Sequence, residues 1–320
     1  MAEVSVYSIP MAHRFRGVTR REGMLLKGAA GWGEWCPFTE YDVAEASKWL
    51  QAAIEAADQG FPRPVRSRVP VNATIPATDP VTARDLTVAS RCRTVKVKVA
   101  EPGQAWQEDV ARVEAVRDGL GPTGRVRVDA NGAWSPDQAV TMLRELSRFD
   151  LEYAEQPCAQ VEDLAQVRRR VSGFGVRIAA DESIRRAADP YRVASLDAAD
   201  VVVLKVQPLG GARACMELAD DLGMDVVVSS ALETSVGLRA GIGLAAALPE
   251  LPYACGLNTL PLLAADLATP GLVAQDGWIS VDDVEPDPRL MSTWAADEAT
   301  TDRWMSRFEA CVARIGGWDG

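Results

Sequence analysis

The chain contains almost no histidine, because His13 is the only one among its 320 residues. This scarcity excludes Ser/His/Asp triads, histidine-rich metal sites and histidine general acids in the central part of the chain. Acid–base chemistry there must therefore use lysine, carboxylate, tyrosine, cysteine or metal-bound water.

The chain also lacks paired cysteines, a leader-like N-terminus and a long apolar run. Its six cysteines are Cys36, Cys92, Cys158, Cys215, Cys255 and Cys311. Because none forms a CxxC pair or a local cluster, we predict no zinc site and expect reduced, buried thiols in a cytoplasmic protein. The first residues do not combine a basic stretch with an apolar one, which argues against a signal peptide. The longest apolar run, near 240–248, is too short to cross a bilayer.

The chain also has no excess of basic over acidic residues. The chain has 34 basic and 45 acidic residues, for a net charge of −11. This charge argues against nucleic acid or an anionic membrane as a partner. A small-molecule carboxylate remains compatible as the substrate, because a metal ion and local lysines can reverse the potential inside a pocket. Nothing in the sequence indicates an oligomeric state.

From Val69 onward, short apolar runs alternate with helical stretches. Eight strands are predicted at Val71–Ile75, Thr94–Val99, Val126–Asp129, Leu151–Glu155, Val176–Asp181, Val201–Lys205, Asp225–Ser229 and Tyr253–Leu257. Such apolar runs are typical of strands that are covered on both faces. Eight of them with intervening crossovers favour a closed parallel α/β barrel over an open sheet.

The first 64 residues do not follow this alternation. Strands at Val4–Ser8 and Gly23–Leu26, a return strand over Gly31–Pro37 and a helix that begins after Asp42 indicate an α+β unit. The basic stretch Met11–Gly23 is predicted to be a mobile lid over an anion pocket, with a solvated surface loop as the alternative.

These patterns divide the chain into three parts. We predict an α+β capping domain over residues 1–64, a barrel over 65–284 and a C-terminal segment over 285–320. The last segment contains a helix near 297–315, which we expect to pack on the cap or on the outside of the barrel.

Five charged residues each end a strand-like run. They are Lys98, Asp129, Glu155, Asp181 and Lys205. Successive members are 31, 26, 26 and 24 residues apart, which suits one strand, one helix and two short loops. Because the carboxyl ends of all barrel strands face one mouth, we expect these five side chains to converge there.

The three carboxylates of this set predict a metal site. Asp129, Glu155 and Asp181 supply hard oxygen ligands, which suit Mg²⁺, and Mn²⁺ is an acceptable substitute. A cation also explains how three aligned carboxylates coexist. For any one of them alone, a helix cap or a salt bridge is the alternative.

The two lysines flank this trio. A lysine that lies beside another cation and a divalent metal has a lowered pKa, so Lys98 or Lys205 can serve as a base toward a carbon-bound proton. Lys96 shares a strand face with Lys98, as Arg127 does with Asp129. The alternative for both lysines is that they are counter-ions to the carboxylates.

Further polar residues follow the predicted strands. Asn131 and Glu182 are expected to orient the metal ligands or to cap local turns. Arg127 is predicted to contact the substrate. Ser229, Ser230 and Gly256 are predicted to hydrogen-bond a substrate carboxylate, with simple turn chemistry as an equal alternative.

The ordered motifs resemble the enolase superfamily, and within it the muconate-lactonizing subgroup. They are Lys96-Val-Lys98, Asp129-Ala-Asn131, Glu155-Gln-Pro157, Asp181-Glu-Ser183 and Lys205, preceded by Gly31-Trp-Gly-Glu34, which resembles the subgroup's capping-domain turn. The resemblance implies a modified (β/α)₇β barrel under an α+β cap and Mg²⁺ on the three carboxylates. It also implies proton abstraction beside a metal-bound carboxylate, which gives an enediolate.

A narrower resemblance is to the dehydrating members of this subgroup. It depends on the Arg127–Asn131 motif, on Ser229-Ser230, on the segment Gly256–Leu260 and on the short chain. It implies a lyase of menaquinone biosynthesis that removes water from 2-succinyl-6-hydroxy-2,4-cyclohexadiene-1-carboxylate. Lys98 would take the ring proton and return it to the departing hydroxyl. Lys205 would stabilise the enediolate by charge and cation–π contact, and Lys96 would keep the pKa of Lys98 low.

Several other functional hypotheses stay open. A racemase of N-succinylamino acids, alone or as a second activity, would use Lys98 and Lys205 as opposed bases on one carbon. A catalytically silent barrel and a lysine Schiff-base aldolase are more distant alternatives. Dipeptide epimerisation is disfavoured, because the segment after the last strand carries no Asp-x-Asp pair.

Overall fold

A three-stranded antiparallel sheet and one helix form the N-terminal unit. The computed structural model describes residues 3–15 and 17–318, and the side chains of residues 13–15 lie outside the description. Strands β1 (Val4–Phe15), β2 (Val18–Lys27) and β3 (Trp32–Trp35) pair in that order. Helix α1 (Val43–Gln59) begins after Asp42, whose carboxylate accepts a hydrogen bond from the N–H of Glu45 at 2.8 Å. Its apolar face is buried against the sheet, which gives the α+β cap its own core.

Most of Met11–Gly23 forms strand and not the loop that was predicted as a lid. This stretch forms the turn end of the β1–β2 hairpin, in which Phe15 pairs with Val18. Arginines hid the strand pattern, because Arg21 is a buried residue of β2 that faces the barrel and interrupts the apolar alternation. Arg16 and the side chains of His13 and Arg14, which the lid prediction included, lie outside the described part of the chain.

Eight parallel strands form a closed barrel. They are β4 (Arg68–Ile75), β5 (Thr94–Lys98), β6 (Arg125–Asp129), β7 (Leu151–Glu155), β8 (Ile178–Ala180), β9 (Val201–Leu204), β10 (Asp225–Val228) and β11 (Cys255–Asn258). Neighbours in sequence pair from β4 to β10, and β11 pairs with β4. A parallel bridge between Ser229 and Gly256 joins β10 to β11 and completes the ring. The prediction of a parallel barrel with a cap is therefore confirmed.

Helices connect the barrel strands on the outside. They are α2 (Pro80–Ser90), α3 (Trp106–Leu120), α4 (Pro136–Leu146), α5 (Val161–Val171), α6 (Glu182–Arg185), α7 (Arg192–Ser195), α8 (Ala212–Leu222) and α9 (Ser235–Ala247). Helix α2 has almost no apolar face, because only Ala83 and Thr87 of that helix are buried. Helix α9 is buried along its whole length, since the cap covers the side that faces away from the barrel.

The C-terminal segment returns to the cap. Strand β12 (Trp278–Ser280) pairs antiparallel with β4, and the short helix α10 (Pro288–Thr293) follows. Helix α11 (Glu298–Ile315) then packs on α1, and Trp304 contacts Trp35 edge to face with ring centroids 5.2 Å apart. Within residues 3–15 and 17–318, no helix is both long and apolar enough to cross a membrane.

Candidate active site

The charged ends of successive strands meet at the carboxyl mouth of the barrel. In-register pairing sets Lys98 beside Asp129, and Asp129 beside Glu155. The Nζ of Lys98 lies 2.5 Å from Oδ2 of Asp129 and 2.7 Å from Oδ1 of Asn131. Across the mouth, the Nζ of Lys205 lies 2.6 Å from Oδ2 of Asp181. The structure thus brings together all five residues that the spacing singled out.

Lys96 lies one layer deeper and joins two of the carboxylates. Its Nζ donates to both carboxylate oxygens of Glu155 at 2.8 Å and lies 3.4 Å from Oδ2 of Asp129. Burial disfavours the ammonium, but the charges of Glu155 and Asp129 outweigh it and raise the pKa of Lys96 above its ordinary value. Lys96 is therefore a cation in this structure.

The three carboxylates are about 1% exposed, yet their pKa values shift in opposite directions. Burial by itself raises the pKa of each one. At Asp129 the charges of Lys98 and Lys96 outweigh burial, and at Asp181 those of Arg185 and Lys205 do so, which holds both pKa values well below the ordinary range. At Glu155 burial and the two neighbouring carboxylates prevail over Lys96 and raise the pKa to about 7.

Arg185 is a member of this network that the sequence reasoning missed. Its Nε donates to Oδ1 of Asp181 at 2.9 Å, and its Nη2 donates to Oε1 of Glu182 at 2.6 Å. Its Nη1 reaches the hydroxyl of Tyr41 in the cap at 3.1 Å. Its position four residues after Asp181 could have indicated this contact, because residues four apart on a helix can form an ion pair.

The donor set of the carboxylate trio fits a hard divalent cation. All three side chains offer oxygen, with no thiolate or imidazole among them. Asp129 and Glu155 end the adjacent strands β6 and β7, and Asp181 directly follows β8. In the described part of the chain, no three acidic, histidine or cysteine side chains converge closely enough to form a ready ligand cage. The carboxylate oxygens instead accept hydrogen bonds from the nitrogens of the three lysines and of Arg185.

A pocket lies directly above this network. It is lined by Phe38, Thr74, Lys96, Lys98, Asp129, Asn131, Arg185, Lys205, Ser229, Ser230, Ala231, Leu232, Gly256 and Thr259. Glu155 and Asp181 do not line this pocket, but each is bonded to a lysine that does, Glu155 to Lys96 and Asp181 to Lys205. Glu182 stands at the edge of the network, with its Oε1 3.3 Å from Nδ2 of Asn131.

The predicted serines lie in the pocket wall beside two threonines that the sequence reasoning missed. The hydroxyls of Ser230 and Thr259 are 2.6 Å apart, and Ser229 donates to the carbonyl of Gly256 at 3.4 Å. A Cβ at Gly256 would lie 2.5 Å from Oγ of Ser229 and 3.2 Å from its Cβ, so a larger residue there would displace the Ser229 hydroxyl. Thr74, at the end of β4, has no neighbouring motif that signals a site.

Arg127 is not brought to the pocket. It is fully buried in the floor of the barrel, where it stacks between the rings of Tyr153 and Tyr253 at 4.5 and 5.8 Å. Its Nη1 donates to Oδ1 of Asn72 at 3.0 Å, and its Nε donates to Glu152 at 2.6 Å. Two residues along a strand move a side chain about 6.6 Å, which separates Arg127 from the mouth where Asp129 lies.

Comparison with protein families assigns both parts of the chain. Residues 6–57 match the enolase N-terminal domain-like family, and residues 81–286 match the enolase C-terminal domain-like family. An o-succinylbenzoate synthase of Thermobifida fusca is 59% identical over 307 residues, which cover 96% of this chain and 95% of the relative. An o-succinylbenzoate synthase of Mycolicibacterium smegmatis is 49% identical over 319 residues, which cover 98% and 97%.

Solved structures show the same fold at much lower identity. A muconate lactonizing enzyme from Pseudomonas fluorescens superposes with a TM-score of 0.78 at 21% identity, covering 92% of this chain and 98% of that one. An N-succinyl Arg/Lys racemase from Bacillus cereus gives 0.78 at 19%, with 92% and 97% covered. At these identities the likeness concerns the fold alone.

Proposed function

The chain belongs to the enolase superfamily, and from this membership we propose how its barrel mouth carries out the o-succinylbenzoate synthase reaction. The chain is an enzyme of the lyase class, as are the synthases that match it along nearly its whole length. The substrate is 2-succinyl-6-hydroxy-2,4-cyclohexadiene-1-carboxylate. It loses the ring proton beside its carboxylate and the neighbouring hydroxyl as water, and the product is the aromatic 2-succinylbenzoate of menaquinone biosynthesis.

The observation that carries this proposal is the position of the two lysines. Lys98 ends β5 and Lys205 follows β9, four strands apart in a ring of eight, so their ammonium groups face each other across the pocket. A flat ring between them presents one face to each lysine. This arrangement lets one lysine move a proton while the other stays charged.

Lys98 acts as the base and then as the acid. In its neutral form, Nζ takes the proton from the ring carbon, and the electron pair moves into the carboxylate to give an enediolate. The same Nζ then gives its proton to the hydroxyl, which leaves as water while the ring becomes aromatic. In the structure, Asp129 and Asn131 accept hydrogen bonds from this Nζ and so place it at the edge of the pocket.

Lys205 stays an ammonium and stabilises the charge that develops on the enediolate. Lys205 donates to one oxygen of Asp181, which fixes the position of the ammonium. Arg185 donates to the other oxygen of Asp181, so two cations hold this carboxylate in place. Lys96 occupies the deeper layer and holds Glu155 and Asp129 in place.

The superfamily depends on a divalent metal, and we propose Mg²⁺ here, with Mn²⁺ as a substitute. Asp129, Glu155 and Asp181 would hold the ion, and their all-oxygen donor set supports this choice. When bound, such an ion withdraws electron density from the substrate carboxylate and thereby acidifies the neighbouring carbon. We also propose a cytoplasmic location, supported by six cysteines that are all free and buried.

A spectrophotometric assay tests the reaction. The conjugated cyclohexadiene is consumed, so its absorbance should fall when the protein and Mg²⁺ are added together. The protein depleted of metal by a chelator serves as the control and should leave the absorbance unchanged. A Mg²⁺-loaded, folded protein that does not consume the diene would overturn the proposed function.

The opposed lysines also favour a second activity, the racemisation of an N-succinylamino acid. Each lysine would then face one side of the same carbon. Incubation with N-succinylphenylalanine in deuterated water tests it, because racemisation incorporates deuterium with inversion. Exchange without consumption of the diene would replace the synthase assignment with the racemase.

A further inference from the structure

A buried arginine of the cap holds the wall of the pocket. Arg21 lies in β2, is 2% exposed and points into the junction between the cap and the barrel. Its Nε donates to the carbonyl of Leu232 at 2.9 Å, and its Nη2 donates to that of Ala231 at 3.1 Å. Nη2 also donates to the carbonyl of Cys36 in the cap. One guanidinium thus joins the loop after β10 to the segment after β3.

The same guanidinium packs on an aromatic ring of the pocket. The Cζ of Arg21 lies 4.5 Å from the centroid of the Phe38 ring. Phe38, Ala231 and Leu232 are the three apolar residues of the pocket lining. Arg21 therefore contacts every apolar residue of that lining, while it lines none of the pocket itself.

The loop that Arg21 holds is strained. Leu232 has a φ of +69°, a left-handed conformation that costs a leucine free energy and persists only when its surroundings impose it. Two hydrogen bonds impose it here. The N–H of Leu232 donates to Oγ of Ser230 at 2.9 Å, and its carbonyl accepts from Arg21.

We propose that Arg21 is a positioning residue that sets the affinity for the substrate by fixing the apolar wall of Phe38, Ala231 and Leu232. The inference rests on the proposed function. Arg21 acts through these three residues and stays away from the lysines and carboxylates that move the proton. The wall is the part of the pocket that can pack against the carbon skeleton of the substrate, so its displacement weakens binding more than it slows the chemistry.

The chemistry of the contact requires arginine. Its planar fork reaches carbonyls on both sides of the junction while its face lies on Phe38. A lysine keeps the buried charge, but its single ammonium cannot reach both sides and stack at the same time. Arg21→Lys therefore tests the guanidinium geometry alone, because it keeps the charge. Arg21→Met removes both the charge and the guanidinium.

The experiment compares both variants with Arg20→Met. Arg20 is the preceding residue of β2, is exposed, and donates to the hydroxyl and the carbonyl of Ser8 in the same hairpin at 3.0 and 2.9 Å. We expect KM for the diene to rise about tenfold in Arg21→Lys and more in Arg21→Met, with kcat within about threefold of the parent. Arg20→Met should keep both constants within about twofold.

The split between KM and kcat separates positioning from a general structural role. If Arg21→Met does not fold, Arg21→Lys decides the question. A folded Arg21→Lys protein with the parent KM, or one that loses kcat while KM is unchanged, would overturn the inference. If the parent protein itself does not consume the diene, the proposed function has failed, which the same assay reveals independently of either variant.

Discussion

The carboxylate of Glu34 in the cap accepts a hydrogen bond from the backbone N–H of Thr234, the residue that precedes barrel helix α9, at 3.1 Å. It also accepts from the hydroxyl of Thr234 at 2.5 Å, from the N–H of Gly237 at 2.8 Å and from the hydroxyl of Tyr7 at 2.6 Å. Glu34 thus caps a helix of the other domain, where a negative charge is also favoured by the helix dipole. Glu34 therefore makes a buried polar contact between the cap and the barrel, beside those of Arg21 and Arg185.

Glu34→Gln should destabilise the whole protein. The amide turns one acceptor oxygen into a donor that faces buried donors, so at least one N–H or hydroxyl loses its partner. We expect the free energy of unfolding to fall by about 3 kcal/mol, measured by urea denaturation. Glu40→Gln, a change at an exposed residue of the cap, is the matched control and should alter the midpoint little. An unchanged midpoint in Glu34→Gln would mean that this contact does not hold the two units together.

Lys98→Ala and Lys205→Ala should each abolish turnover while the protein stays folded. Removing either amine deletes the proposed proton carrier or the proposed charge on the enediolate, and kcat should fall by about a thousandfold or more. Folding should survive, because Lys96 still faces Asp129 and Arg185 still binds Asp181. The assay is the decay of diene absorbance, with thermal unfolding by circular dichroism beside it. Lys48→Ala, on the exposed face of α1, provides the control, and near-parent rates in Lys98→Ala would remove it from the role of base.

Chelation should stop the reaction, and added Mg²⁺ should restore it. Asp181→Asn should weaken the binding of Mg²⁺ at least about tenfold in isothermal titration calorimetry, because one anionic ligand of the site is lost. Asp118→Asn, on the exposed surface of α3, should leave the binding isotherm unchanged. Full activity in the presence of EDTA would instead favour a Schiff-base lysine, since that chemistry needs no metal.

The sequence predicted the positions of site residues where strand periodicity could be combined with the topology of a parallel barrel. Every barrel strand ends at the same mouth, so a charge at the end of a predicted strand can be located without knowing any long-range contact. Lys98, Asp129 and Lys205 are found in this way. Alternation could say that Arg127 faces inward, but it could not say how deep along the barrel axis that side chain lies.

The contacts between the cap and the barrel were beyond the reach of the sequence. Arg21 and Leu232 are separated by 211 residues, and no local pattern links them. A buried arginine in an antiparallel hairpin has the sequence pattern of a solvated loop, which is why that segment was predicted as a lid. No motif in the sequence marks Thr74 either. It reaches the pocket because the barrel closes and brings β4 beside the last strand.

Arg127→Met should lower stability and leave substrate affinity unchanged. The guanidinium fills the barrel floor between two tyrosine rings and pairs with Glu152, so its loss leaves a buried acceptor in Asn72 without a partner. We expect the free energy of unfolding to fall by about 3 kcal/mol, with KM within about twofold of the parent. The opposite outcome, a raised KM at unchanged stability, would restore the substrate contact that the sequence predicted for Arg127.

The six cysteines should be nearly inert in the folded protein. All six are buried and free, and burial raises the pKa of Cys158 to about 12 and that of Cys255 to about 11. Because the thiolate is the reactive form, an aromatic disulfide reagent at pH 8 should modify less than about one thiol per chain within minutes, and all six after denaturation. Ser172→Cys adds an exposed thiol just after α5 as the positive control and should react at once. Rapid reaction of several thiols in the parent protein would indicate that the barrel or the cap opens far more readily than the close packing around these cysteines implies.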